Sequence, residues 1–200
     1  TALGGDDRAG CAVVLLAAER ILALGGEHPP VTLLFTVQEE VGLFGARYLD
    51  PSVLGGVEVG INFDGGRPNR VVRGATGALR LVTTVTGKAA HAGVRPEAGV
   101  SAILVAARAI ARLGAEGLHG LVERQGSRAT LNVGIIRAGD ATNVVCPSLE
   151  LEAEIRAHDP ALRSLLLDRY RSIFEEEACA VTAVDGARAT VDHEVEVEYE

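Results

Sequence analysis

Five acidic side chains stand in three short groups near the start of the chain: Asp6-Asp7 in "GGDDRAG", Glu39-Glu40 in "TVQEEVG" and Asp64 in "INFDGG". Taken singly, each has an ordinary explanation. Adjacent carboxylates after a strand commonly face water in a turn, and an acidic pair just before a helix is favourable with the helix dipole. Taken together they ask for more. Glu39-Glu40 and Asp64 both follow short apolar runs, at the carboxyl ends of strands where ligands sit in open parallel sheets. If those strands are neighbours, the three groups meet at one edge. Converging carboxylates repel one another unless a proton, an arginine or a cation intervenes.

Oxygen ligands alone suit magnesium or calcium, whereas carboxylates combined with imidazoles suit zinc, manganese or cobalt. The chain has no H-E-x-x-H motif. His28 lies in a Pro-flanked loop, His119 in a Gly-rich acidic one, and His158 and His193 in or beside later elements, so none is an evident ligand for the acidic groups.

The elements that must position these residues come in two styles. "AGCAVVLLAAERILAL" (residues 9–24) is rich in Ala and Leu and predicts a buried helix, ended by the breaker "GGEHPP". Residues 31–37 and 57–63 are β-branched runs with little alternation, as parallel strands covered on both faces would be. From about Ala75 the pattern changes to alternation. Strands are expected at 78–86, 129–137, 148–157 and 189–198, with helices at 98–113 and 160–178. That βαββαβ order is ferredoxin-like. The expected class is therefore α/β, with residues 1–74 in a parallel-rich sheet-and-helix domain and 75–200 in a second domain.

Composition narrows the chemistry. A chain of 200 residues, 48% hydrophobic and 23% charged, can build real cores. Its net charge of −8, spread along the chain, argues against a nucleic-acid surface and favours a small molecule or peptide as partner. Cys11, Cys146 and Cys179 are too widely spaced for a paired metal motif and suit a reducing, cytoplasmic compartment. No run is long and apolar enough to span a bilayer, and "TALGGDDRAG" lacks the features of a secretory signal. The chain has no Met, opens in a loop-like stretch and closes on the strand-like "EVEVEYE", which fits a piece of something longer as well as the loss of an initiator.

Five stretches, in order, resemble the zinc-dependent exopeptidases related to peptidase T and the glutamate carboxypeptidases. "LGGDDRAGCA" resembles that family's first metal loop, "TVQEEVGLFGA" its double-glutamate motif and "NFDGG" its second aspartate loop. "GKAAHAGVRPEAGVSAI" looks like the start of its lid domain and "GDATNVVCPSLELEAEIR" like the lid's later strands. The glutamyl aminopeptidases share the first two motifs, but "GKAAHAG" and the βαββαβ insertion favour the peptidase T side. The resemblance implies a partial catalytic metallopeptidase domain followed by a lid and dimerisation domain. It implies hydrolysis of an amide bond in short peptides, as a tripeptidase or aminopeptidase, and a homodimer formed through the lid.

Carried over by motif, Asp6 would bridge two metal ions, with Asp7, after an expected cis peptide, supporting the site; Glu40 would ligate one ion and Asp64 the other. Zinc is the expected metal, with cobalt or manganese as alternatives. Glu39 would be the general base, taking a proton from the activated water and passing it to the leaving amine. His91 would stabilise the oxyanion, in many members across a dimer, while Asn143 and Arg156 would hold the substrate's backbone and carboxylate. Arg156 has a plainer alternative, a pair with a neighbour on its strand.

The family pattern also has an upstream His-x-Asp motif and a late histidine, and neither occurs here. The implied reading is a fragment that is inactive alone. Two alternatives stand beside it: a metal-free lid and dimerisation module with a remnant catalytic scaffold, and a related deacylase or glutamyl aminopeptidase.

Overall fold

A computed structural model describes residues 5–199 apart from Gly66, Pro68 and Gln125. Leu3 and Gly4 of the first expected metal loop, and the last glycine of "NFDGG", lie outside the described residues. The chain divides into two compact units, Thr1–Val71 and Val72–Glu200.

The first unit opens with α1 (Gly5–Leu24), whose first residues are not helical: Asp6 has φ −94° and ψ 111°, Asp7 φ −114° and ψ 50°. The peptide joining them is cis. Asp7 Oδ1 accepts a 2.9 Å hydrogen bond from the Gly10 N–H, three residues on, which is how a cap satisfies an orphan donor and starts a helix. A single turn of helix, α2 (Phe44–Arg47), and a 3₁₀ turn at Pro51–Leu54 follow.

Residues 31–37 and 57–63, expected as parallel strands, are not strands here. Strand-forming residues are present, but a ladder needs a neighbour within about 4.8 Å. Among the described residues of this unit no ladder forms. Their apolar side chains stay open, with Val59 75% and Ile61 74% exposed. α1 is open as well: Leu22 and Leu24 are 71% and 83% exposed, and Gly10 is the buried residue of the helix.

The second unit has its own core. β1 (Gly77–Thr86), α3 (Ala102–Ala115), β2 (Gly120–Arg124), β3 (Ser127–Ala138), β4 (Ser148–Ala157), α4 (Pro160–Ala180) and β5 (Thr190–Tyr199) form one antiparallel sheet, ordered β2-β3-β4-β1-β5, with two helices. Alternation puts Leu79, Leu81 and Val85 of β1 and Leu149, Leu151 and Ile155 of β4 on the buried face. α3 answers with Val105, Ala106, Ala109 and Leu113 at helical spacing, and α4 with Leu166, Tyr170, Ile173 and Phe174. Each fully buried Leu, Ile or Phe contributes roughly 1.5–3 kcal/mol relative to an exposed one.

Local signals fix the helix starts. Ser101 Oγ accepts from Leu104 N–H, and Asp159 Oδ1 from Ala161 and Leu162 N–H with Pro160 at the first helical position. Residues 98–101, expected in the first lid helix, precede it instead: Ala98 ends a 3₁₀ turn (Pro96–Ala98), Val100 bridges Lys88 and Ser101 is the cap. β2 is an added fifth strand, where a loop was expected. It pairs with β3 from Gly120–Leu131 to Arg124–Ser127, and Gly126 turns the hairpin at φ +83°.

Candidate active site

In the first unit, the approach of α1 to the "INFDGG" segment brings the aspartates together. A Cβ on Gly10 would stand 1.9 Å from the Phe63 carbonyl oxygen and 2.1 Å from Asp7 Oδ2. Glycine therefore lets the first turn of the helix lie directly on the backbone beside Asp64. Asp6, Asp7 and Asp64 consequently each offer an oxygen within 4.8 Å of the others, all on exposed residues.

The Glu39-Glu40 loop is closed on itself. Gly45 N–H donates to Val37 O at 2.9 Å, Phe44 N–H to Gln38 O at 3.2 Å and Leu43 N–H to Glu39 O at 2.9 Å. A Cβ on Gly45 would meet Val37 N at 2.5 Å, and Gln38 and Leu43 take positive φ to complete the turn. Loss of solvent around Glu39, followed by the charges of Glu40, Asp64 and Asp6, pushes its carboxyl above the ordinary value of 4.5. Glu40 contributes to that field but stands outside the group of carboxylates within 4.8 Å, which holds Asp7.

The donor chemistry of this group fits a divalent cation: hard carboxylate oxygens, exposed to solvent, whose mutual repulsion a cation would offset. The set is all oxygen, with no imidazole among the described residues that meet there.

In the second unit, His91 and Asn143 meet across a backbone pairing. His91 forms an isolated antiparallel bridge with Val144, Ala92 N–H donates to Asn143 O at 2.9 Å, and Val145 N–H to Ala90 O at 2.9 Å. His91 Nδ1 accepts from Gly93 N–H at 3.1 Å, which assigns the ring proton to Nε2 and leaves an exposed donor.

Arg156 is elsewhere in the same unit. The β1–β4 ladder runs from Gly77–Ala157 to Thr86–Ser148, and the pairing continues past Ser148 through Gly87 and Pro147 toward His91. His91 and Asn143 thus lie at or beyond one end of β4, and Arg156, opposite Ala78, lies near the other. Eight residues of strand separate Ser148 from Arg156, about 26 Å at 3.3 Å per residue. The Arg156 guanidinium is held by Glu154, Nε at 2.7 Å and Nη2 at 2.8 Å. Arg80, which faces Glu154 across the ladder, pairs instead with Glu198 at 2.6 Å.

Gly10 and Gly45 were not singled out in the sequence, whereas the strand neighbour expected for Arg156 proves to be Glu154. "DDRAG" and "GLFGA" carried the glycine signals, but only the packing shows what each glycine admits. Glu154 was legible by spacing, because residues two apart share a strand face.

Comparison with known proteins bears on this arrangement. Residues 73–181 match the model of the peptidase dimerisation domain of the M20 peptidases, and residues 2–71 that of the M42 glutamyl aminopeptidases. A tripeptidase of Staphylococcus aureus superposes with a TM-score of 0.83 at 34% identity, covering 98% of this chain and 49% of that one. Aminopeptidase PepT of Bacillus cereus gives 0.77 at 32%, with the same coverage of both chains. The protein YqjE of Bacillus subtilis is 34% identical over 98% of this chain and 50% of its own length. Carboxypeptidase G2 of Pseudomonas is 28% identical over 76% of this chain and 36% of its own. The chain spans about half the length, or less, of these relatives. No helix among the described residues is long and apolar enough to cross a membrane. The chain belongs to the M20 peptidase family, on its peptidase T-like side.

Proposed function

We propose that this chain carries the metal-binding and substrate-binding residues of a peptidase that hydrolyses short peptides, of the tripeptidase or aminopeptidase kind. The observation that carries the reading is the convergence of Asp6, Asp7 and Asp64 beside Glu39, whose carboxyl holds its proton more tightly than an ordinary glutamate. Asp6 and Asp64 hold the cation, with Glu40 as a further ligand; zinc is the first choice, and cobalt or manganese the alternatives. A cation held there supplies Lewis-acid activation of water and of the scissile carbonyl.

The chain's own groups do the rest. Glu39 accepts a proton from the attacking water and returns it to the leaving nitrogen, a task that favours a carboxyl raised toward the working pH. His91 presents Nε2–H to the developing oxyanion. Asn143 binds substrate backbone and Arg156 the terminal carboxylate. Glu154 occupies the Nε–Nη2 edge of Arg156, which leaves the Nη1–Nη2 edge for a ligand.

The second unit serves as lid and dimerisation domain. A tripeptide reaches only about 11 Å when fully extended. It cannot span the roughly 26 Å of strand between Arg156 and the Asn143 end of one lid. The complete site therefore draws His91 and Asn143 from one copy of the lid and Arg156 from another.

The test is a peptide-hydrolysis assay in an active enzyme carrying these residues, with and without a chelator. Chelation abolishes turnover, and Arg156→Ala raises KM at least tenfold for peptides with a free carboxylate, a loss of about 1.4 kcal/mol, while sparing their amides. Chelator-resistant turnover contradicts the metal reading. An unchanged KM leaves Arg156 as the partner of Glu154 alone.

A further inference from the structure

Three elements of the second unit meet at a polar cluster that the proposed chemistry does not use. Thr83 of β1 is fully buried, with Oγ1 2.8 Å from Tyr170 Oη of α4 and 2.9 Å from His193 Nδ1 of β5. Thr83 and His193 face each other in the β1–β5 register. The imidazole makes T-shaped contacts with two aromatic rings, 5.6 Å from Tyr170 at 62° and 6.0 Å from Phe174 at 85°. Its Nε2 is sealed from solvent and has no hydrogen-bond partner among the described residues.

A neutral ring meets this setting at the smaller cost: with its proton on Nδ1 it leaves only the Nε2 lone pair unpaired, and Thr83 partners Nδ1. A second proton changes the balance. Both nitrogens then donate, Nε2–H finds no acceptor, and a positive charge rests in a pocket walled by aromatic rings.

The charged groups around it do not rescue the charge. From α4, Arg171 opposes protonation and Glu175 favours it; from β5, Asp192 favours it, while Asp192 and Glu194 project from the opposite face of the strand. β1 presents Leu79, Leu81, Thr83 and Val85 to this side, none of them charged. Burial is the largest influence, followed by Arg171, and the imidazole is held below its ordinary value of 6.5.

β5 is poorly placed to absorb the penalty. It is an edge strand, laddered to β1 alone among the described strands, and Val191 and Val195 anchor it only as partly buried residues. We propose that His193 is a proton-operated latch on β5, which stays docked while the imidazole is neutral and loosens when acid protonates it. A group whose affinity for protons is lowered by folding adds stability above its unfolded value, and that stability drains away as pH falls below it. The vulnerable range therefore begins near pH 6.5 and extends downward. This device is independent of the peptidase reading.

Hydrogen exchange of the 200-residue chain at pH 7.5 and 5.0, corrected for the intrinsic pH dependence of exchange, tests it. Amides of β5 lose protection by about tenfold or more at the lower pH, while those of β3 and β4 hold theirs; in His193→Phe the β5 values agree at both pH values. Unchanged β5 protection in the native chain, or an equal loss in His193→Phe, overturns the latch. Should that variant not fold, the imidazole signals of the native chain decide: a His193 titration midpoint below 6.5 supports the proposal, and one at or above it overturns the proposal.

Discussion

Glu39→Ala lowers turnover by about 10²- to 10⁴-fold, the usual contribution of a positioned acid–base group, and leaves the metal content of the enzyme near normal. The separation of the two effects follows from geometry. Glu39 senses Asp64 and Asp6 through their charge, yet it is not one of the three residues whose oxygens lie within 4.8 Å of one another. Its backbone is fixed by the loop closure at Gly45, so removing the side chain does not release Glu40. The proposed ligands behave oppositely: Asp64→Ala lowers turnover and metal content together. Metal analysis beside steady-state kinetics checks both. Loss of metal in Glu39→Ala would make it a ligand instead of a base.

Mixing two crippled variants restores activity. His91→Ala and Arg156→Ala each damage every site in a homodimer. When the site takes His91 from one lid and Arg156 from another, a dimer with one copy of each variant has one intact site. Random exchange makes half the dimers mixed, each with half its sites whole, so the mixture recovers about a quarter of native activity under conditions where both parents are nearly silent. The measurement is activity against time after mixing under conditions that allow subunit exchange. Activity that stays at the average of the parents would mean that one lid supplies both residues. The register of β4 argues against that outcome, because eight strand steps separate Ser148 from Arg156.

The second unit was largely readable in the sequence, and the reason is periodicity. β1 and β4 alternate buried and outward residues over their length, and α3 repeats apolar residues at three and four. β2 escaped because five residues, "GLVER", with a single buried Val122, carry too little pattern to separate a strand from a loop. The first unit shows the converse failure. Residues 31–37 and 57–63 have the composition of buried strands, but composition states a preference that only a partner can satisfy, and no ladder forms there among the described residues. The acidic groups were legible as local motifs. Their meeting was legible only as a condition, that the segments before them be neighbours; in the structure it depends on the missing side chain of Gly10 against the Phe63 carbonyl. The distance from His91 to Arg156 was equally hidden, because it is set by which end of a ladder each residue occupies.

The account rests first on the carboxylates of the first unit binding a cation. Calorimetric titration of zinc into the 200-residue chain, beside the same chain with Asp6→Ala and Asp64→Ala, measures that directly. The account predicts saturable binding in the native chain, weaker than a site with imidazole ligands would give, and its loss in the double variant. Identical isotherms for the two chains would contradict it.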